Sequence, residues 1–250
     1  MAESKILRKV LHALSVPKCL SCRARLSDED RALCSSCIKK YAEIKTRNCS
    51  GCAKLLHECS CTNDYLSRHF VKGLAKVYRY RASEELATAN SIVYRMKRKN
   101  RSDALDFLAD ELVASIRNSL PEISDDTIVT HVPNRKSAIV QYGFDHAELL
   151  GRAVAEKLDL EFMPLLTSIA KKSQKETTGD ERFANATFDL IAEPDIKGKD
   201  VIIIDDIVTT GASMGNSATL IRALSPRSIY GACIGIAYFD DLYQKRKTRN

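Results

Sequence analysis

The apolar positions change character along the chain. Between Met1 and Val16, Ile6, Leu7, Val10, Leu11 and Leu14 recur at helical spacing, which predicts a short amphipathic helix packed on the body. Residues 17 to 64 hold few large apolar side chains and could not bury much core alone. From about residue 68 onward, strand-like and helix-like segments alternate. Val71 to Tyr80 reads as a strand, Glu84 to Met96 as a helix, and a second helix carries Leu105, Leu108, Leu112 and Ile116 on one face. Thr127 to Val132 reads as a short buried strand ended by Pro133, which cannot donate to a ladder. His146 to Leu158 is a helix with Leu149, Leu150, Val154 and Leu158 inward. Residues 168 to 187 are polar without sustained period, a long loop of the kind that often carries function. Val201 to Ile204 is an unbroken β-branched run, suited to a central parallel strand buried on both faces. A helix from about Met214 to Leu224, a last strand from Ser228 to Tyr238 and a basic tail from Gln244 to Asn250 complete the pattern. The succession predicts an α/β open parallel sheet flanked by helices.

Composition narrows the class. The 250 residues, 44% of them hydrophobic, suffice for a sizeable core. The formal charge of +7 favours an anionic partner such as a nucleotide, a phosphosugar or nucleic acid. A cluster of Arg95, Lys97, Arg98, Lys99 and Arg101 concentrates part of that charge. No apolar run reaches the 18 residues of a membrane span. The stretch from Val10 to Val16 is short, contains His12 and is followed by no small-residue cleavage pattern. The expected location is therefore the cytoplasm.

Eight of the nine cysteines lie between positions 19 and 61. They form Cys19-x-x-Cys22, Cys34-x-x-Cys37, Cys49-x-x-Cys52 and Cys59-x-Cys61. With no secretion signal, metal binding is favoured over disulfides. Two thiolates two residues apart chelate one ion from a tight knuckle, and two knuckles complete a tetrahedral shell. Eight thiolates thus predict two structural Zn²⁺ sites. Sequential pairing groups Cys19, Cys22, Cys34 and Cys37, then Cys49, Cys52, Cys59 and Cys61; interleaved pairing satisfies the same spacing. Closed shells leave no open position for catalysis. Cys233, in a strand-like segment, reads as a small buried hydrophobe.

The chemistry concentrates in VIIIDDIVTTGAS, Val201 to Ser213. A buried strand delivers Asp205 and Asp206 to its carboxyl end, where ligands bind in open α/β sheets. Thr209, Thr210, Gly211, Ala212 and Ser213 then open a helix. Gly211 lets the backbone approach a phosphate closely. Hydroxyls and free N–H groups donate to its oxygens, and the helix dipole favours negative charge. Carboxylates do not favour a phosphate; they suit hydroxyls, or Mg²⁺ bridging to hydroxyls. Acids beside a phosphate cradle describe a sugar phosphate. Neither GxxxxGK[ST] nor GxGxxG occurs.

This string resembles the PRPP-binding motif of type I phosphoribosyltransferases. The chain further resembles the ComF family of competence proteins, which join a double zinc ribbon to such a domain. Besides the eight cysteines, the resemblance rests on Tyr94 to Lys97, similar to a family segment ending in Lys; on His131-Val-Pro-Asn-Arg135, similar to VPVP followed by Arg; and on Gly143-Phe-Asp-His-Ala147, similar to GFNQA. Gln174, Glu181, Arg182, Asn185 and Phe188 match a spaced Q…eR..N..F pattern. Tyr142 stands where the family usually has Arg, and Thr177 where it has Leu.

The resemblance implies a helix and double zinc-ribbon module over residues 1–66 and a phosphoribosyltransferase-like domain over 67–250. PRPP would lie across the sheet end, with Mg²⁺ bridging its pyrophosphate and ribose hydroxyls. Lys97 and Arg135 would contact pyrophosphate, and the loop around Gln174, Lys175 and Arg182 would form a hood excluding water. It implies an accessory role in DNA uptake, with single-stranded DNA and an uptake helicase as partners. The alternative is an active phosphoribosyltransferase in nucleotide metabolism. His131 and His146 read first as structural histidines, and no residue is assigned as catalytic.

Overall fold

The computed structural model describes residues 17–27, 30–81, 83–99, 101–121, 123–169, 188–191 and 194–237. The sequence-predicted helix over 1–16, the hood residues Gln174, Lys175 and Arg182, Asn185, Thr177 and the basic tail lie outside them.

Seven strands and seven α-helices are formed among the described residues, with 3₁₀ turns at Leu56–Glu58 and Glu84–Leu86. The strands are β1 (Val71–Arg79), β2 (Ile128–His131), β3 (Glu161–Phe162), β4 (Leu166–Ser168), β5 (Phe188–Leu190), β6 (Asp200–Val208) and β7 (Ser228–Ile236). The helices are α1 (Ser35–Lys45), α2 (Asp64–Arg68), α3 (Ala87–Lys99), α4 (Ser102–Ser119), α5 (Lys136–Tyr142), α6 (His146–Leu158) and α7 (Ala212–Arg222). Five strands build one sheet in the order β1-β7-β6-β2-β3, with every pairing parallel. β4 and β5 form a separate antiparallel pair flanking the polar loop.

The β-branched run sits at the centre of β6, hydrogen-bonded to β7 on one side and β2 on the other. Ile202 and Ile204 face a core shared with Ile92 and Met96 of α3, Leu108 and Leu112 of α4, and Leu150 and Val154 of α6. Val201 and Ile203 face the opposite core, with Met214, Ala218 and Ile221 of α7 and Leu66 of α2. Burial on both faces is why this strand is apolar at successive positions and not at alternate ones.

Four differences from the sequence reading concern the site. β6 does not stop at Ile204 but runs through both acids to Val208, and α7 begins at Ala212, two residues earlier than the periodicity suggests. α2 forms inside the segment between the last cysteine and β1, and α5 forms just after Pro133. Neither short helix has enough residues for a helical period to show. α2 is initiated by Asn63, whose side-chain oxygen accepts from Leu66 N at 2.8 Å.

The sheet centre carries the largest share of burial, so Ile202→Ala, at a position of 0% exposure, should cost about 2–5 kcal/mol. Urea denaturation of the full chain should show a lower midpoint with an unchanged slope.

Candidate functional site

The carboxyl end of β6 carries two acids, and adjacent strand residues point to opposite faces. Asp206 follows Ile202 and Ile204 in parity and turns toward α3 and α6. There Lys97 Nζ approaches its Oδ2 at 2.7 Å, and His146 Nε2 approaches the same oxygen at 2.6 Å. Burial opposes the ionisation of Asp206, but the hydrogen bond from His146 and the charge of Lys97 outweigh it and hold its carboxyl below the ordinary range. Asp205 follows Val201 and Ile203 toward the α7 side. Burial pushes its pKa well above the ordinary carboxylate value, and the adjacent Asp206 charge adds to the rise. One oxygen of Asp205 accepts the Asp206 backbone N–H at 2.8 Å.

The chain then turns through Thr209 and Thr210 into α7. Gly211 sits at the start of the helix with φ 85°, a left-handed conformation natural to glycine. A Cβ there would also lie 2.9 Å from Leu66 Cγ of α2. Asn63 Nδ2 donates to the Thr210 carbonyl at 3.0 Å. Tyr65 Oη donates to Asn216 Oδ1 at 2.8 Å. Asp205 and residues 207–214 line a cavity of about 40 Å³. Of the predicted ligand residues, Asp205, Thr209, Thr210, Gly211, Ala212 and Ser213 line this one cavity, whereas Asp206 turns to the other face of the sheet. Lys97 is on that other face, with Asp206. Arg135 precedes α5 and is exposed.

Asp145 explains the GFDHA segment. Its carboxylate caps α6 by accepting from Ala147 N at 3.0 Å and Glu148 N at 3.2 Å. It also accepts from Asn134 N at 2.8 Å and Asn134 Nδ2 at 2.7 Å, tying the loop after β2 to the helix that presents His146. His131 Nε2 lies 3.8 Å from Asp145, and burial lowers the His131 pKa, which favours the neutral ring. Tyr142 lies under Arg98, whose guanidinium carbon is 4.6 Å from the ring centroid. The histidine at 146 is therefore a direct partner of the site acid, a role that sequence alone did not assign.

The basic cluster is largely engaged within the fold. Arg95 donates to the Leu20 carbonyl at 2.5 Å and the Ser21 carbonyl at 2.9 Å. Lys97 holds Asp206, Arg98 covers Tyr142, and Arg101 pairs with Asp103. Lys99 is exposed.

The eight cysteines gather into two tetrads, Cys19, Cys22, Cys34 and Cys37, and Cys49, Cys52, Cys59 and Cys61, with the sulfurs of each within 4.8 Å of one another. Sequential pairing is the one formed. His57 is in neither group. Four mutually close thiolates with the chain wrapped around them fit a closed tetrahedral metal shell. At the second tetrad, burial pushes Cys59 up to about 12, opposed by a backbone N–H from Cys61 and by the positive charge of Lys76. Cys233, fully buried, is raised by burial and has no assigned role.

Residues 145–248 match the family model of the phosphoribosyl transferase domain. The matched stretch lies in the parallel sheet flanked by helices, a phosphoribosyltransferase-like fold, preceded by two four-cysteine groups that could each hold a metal ion. A ribose-phosphate pyrophosphokinase of Thermococcus kodakarensis is 38% identical over 79 residues, 32% of this chain and 24% of that protein. One of Saccharolobus solfataricus is 32% identical over 83 residues, 33% of this chain and 25% of that protein. The matches with these curated relatives thus span about a quarter of their length. Among solved structures, an adenine phosphoribosyltransferase aligns with TM-score 0.40 and 21% identity, covering 60% of this chain and 78% of that one. The enzyme of Saccharomyces cerevisiae aligns with TM-score 0.38 and 20% identity, covering 61% and 78%.

The two acids should respond oppositely to pH. In the unfolded chain Asp205 ionises near pH 3.9, but in the folded protein only at higher pH, so its contribution is lost as pH rises through that interval. Asp205→Asn should match the wild-type melting temperature near pH 4 and exceed it increasingly toward pH 8. Asp206, whose pKa is depressed, stabilises the fold above the unfolded value and loses that effect as pH falls through its folded pKa. Asp206→Asn should therefore melt lower than wild type at pH 7. Scanning calorimetry across pH 4–8 checks both signs.

Proposed function

We propose that this chain is a ComF-like cytoplasmic accessory protein of DNA uptake that binds PRPP or a related 5-phosphoribosyl ligand at the β6–α7 junction. The observation that carries the reading is the junction itself. Two adjacent carboxylates at the end of a central parallel strand run into a left-handed Gly211 that opens α7. The 5-phosphate would take the backbone N–H groups and hydroxyls of Thr209 to Ser213, since a helix N-terminus favours an anion. Asp205 and Asp206 would face the ribose hydroxyls, and Mg²⁺ would bridge these to pyrophosphate. Lys97 and Arg135 would meet the pyrophosphate, with Gln174, Lys175 and Arg182 covering it. Lys97 leaving Asp206 for pyrophosphate would free an oxygen of that carboxylate for the sugar.

The metal clusters are structural Zn²⁺ sites in this reading. They form a head over residues 1–66 on a phosphoribosyl-binding body over 67–250, and the head or the basic surface engages single-stranded DNA or an uptake helicase. The match to the transferase family model favours a second reading, transfer of phosphoribose from PRPP to an acceptor. Release of pyrophosphate from PRPP in the presence of a panel of bases and amines distinguishes it.

A ligand that binds only the folded state stabilises it by about 2.7 kcal/mol at 100 times its Kd. Thermal-shift measurements with Mg²⁺ should show PRPP raising the melting temperature well beyond bare phosphate. The Asp205→Ala, Asp206→Ala double variant should lose that shift while retaining two zinc ions by mass spectrometry. An undiminished shift in the double variant would place the ligand elsewhere. Labelled oligonucleotides should be retained at low salt and released steeply as salt rises; no retention at low salt would remove DNA from the reading.

A further inference from the structure

The second cysteine tetrad and the candidate phosphate loop are joined by two sets of contacts that neither a structural metal site nor a phosphate cradle requires. The first runs along the chain. Cys61, a member of the tetrad, is followed two residues later by Asn63, whose side chain is used at both ends. Its oxygen caps α2 by accepting from Leu66 N at 2.8 Å, and its amide nitrogen donates to the Thr210 carbonyl at 3.0 Å. α2 then lies on the loop. Leu66 stands 2.9 Å from where a Cβ of Gly211 would be, and the Tyr65 ring 2.7 Å from where one of Gly215 would be. One turn of helix, anchored at a cysteine, thus fills the space that both glycines of the loop and of α7 leave open.

The second set crosses the sheet. Lys76 of β1 is 1% exposed, and its ammonium is satisfied almost wholly by the tetrad. Nζ donates to the Cys59 carbonyl at 2.7 Å, the Cys61 carbonyl at 2.9 Å and the Leu74 carbonyl at 3.0 Å, with Cys59 Sγ at 3.4 Å. A buried lysine needs compensating negative charge, and a shell of four thiolates around a divalent ion carries a net charge of −2. In the strand register Lys76 stands beside Cys233 of β7, and Cys233 beside Asp205 of β6. A single cross-strand row therefore leads from the metal shell to one of the site acids. Ser60 O, between two cysteines of the tetrad, accepts from Leu74 N at 2.9 Å, which joins the tetrad segment to the edge of β1 at one point.

We propose that metal binding at the second tetrad and phosphoribosyl binding on the Thr209–Ser213 loop strengthen each other, with Asn63 as the positioning residue that links them. The inference rests on the phosphoribosyl reading above and on zinc as the metal. An ion in the shell fixes Cys61 and hence the start of α2. A fixed α2 holds the Thr210 carbonyl outward and Leu66 against Gly211, keeping the N–H groups of the loop turned toward the phosphate. Coupling of this kind is reciprocal, because the same free energy appears at both sites.

Asn63→Ser separates this role from folding. Serine caps a helix about as well as asparagine, adds no charge, and lacks the amide that reaches Thr210. With the full chain, Mg²⁺ and PRPP, two quantities are read: the Kd by titration calorimetry, and the rate of zinc transfer to a chelator with and without PRPP, the released cysteines being mapped by alkylation. In the wild type, PRPP should slow release from Cys49, Cys52, Cys59 and Cys61. Asn63→Ser should still hold two zinc ions, bind PRPP about fivefold or more weakly, and lose the protection. A wild-type Kd in Asn63→Ser with the protection intact overturns the inference, as does protection confined to the first tetrad or absent from the wild type that binds PRPP. If the wild type binds no PRPP, the phosphoribosyl reading falls first and this inference with it.

Discussion

Two adjacent carboxylates at the end of a buried strand are the constraint around which the rest of the molecule is arranged. Because successive strand residues face opposite ways, Asp205 and Asp206 meet different surroundings, and Lys97 contacts Asp206 directly while acting on Asp205 only through its field. Asp206 enters the layer of α3 and α6, and both helices answer it, α3 with Lys97 and α6 with His146. Asp145 secures the α6 side by capping the helix and holding Asn134 of the loop after β2. Asp205 enters the other layer, where its ionisation is disfavoured. Asp206 is held in its charged form by Lys97 and by the hydrogen bond from His146, and Asp205 is poised toward its neutral form. An incoming group that supplies hydroxyls or a divalent ion would change the balance of both.

The cysteine-rich head is tied to the body in part by two cations, one from a helix and one from the sheet, and in both cases the cation reaches backbone carbonyls. Arg95 on α3 holds the Leu20 and Ser21 carbonyls of the first knuckle. Lys76 on β1 holds the Cys59 and Cys61 carbonyls of the second. These polar anchors act beside apolar ones, since Leu20, Leu33, Tyr41 and Ile44 of the head are buried in the same core as the helices of the body. Arg95 lies two residues before Lys97, so the helix that seats the first knuckle also presents a cation to Asp206.

Much of this was legible in the sequence where a local rule decides the outcome. The β-branched run from Val201 marked the central strand, the 3.6-residue period marked His146–Leu158, and knuckle spacing marked the two tetrads, though not which knuckles pair. What could not be read depends on partners far along the chain. Lys76 sits in a segment with charges at Lys72, Lys76 and Arg79, which reads as an ordinary partly solvated edge. Only the tetrad folded over it makes Lys76 buried. α2 has five residues and no period, and the contact between Asn63 and Thr210 spans 147 positions. Asn63 followed by Asp64 is a helix-start signal; with it, a helix there was readable, but its seat on the Thr209–Ser213 loop was not. His146 was read as structural because a lone histidine gives no sign of the acid it will meet.

The distribution of positive charge follows from the same arrangement. The net charge of +7 suggests an anion-binding surface, and the run from Arg95 to Arg101 looks like its centre. Four of those five cations are committed within the fold, to carbonyls of the first knuckle, to Asp206, to the Tyr142 ring and to Asp103. A cation that already has a partner attracts a further anion less, since much of its field is cancelled locally. The run therefore serves mainly to assemble the head, the site acid and the α3–α4 junction. Among the described residues near the carboxyl end of β6, Lys99, Arg135 and Lys136 remain exposed. These lie at the end of α3 and around the start of α5, close in sequence to Lys97 and Asn134, which contact Asp206 and Asp145.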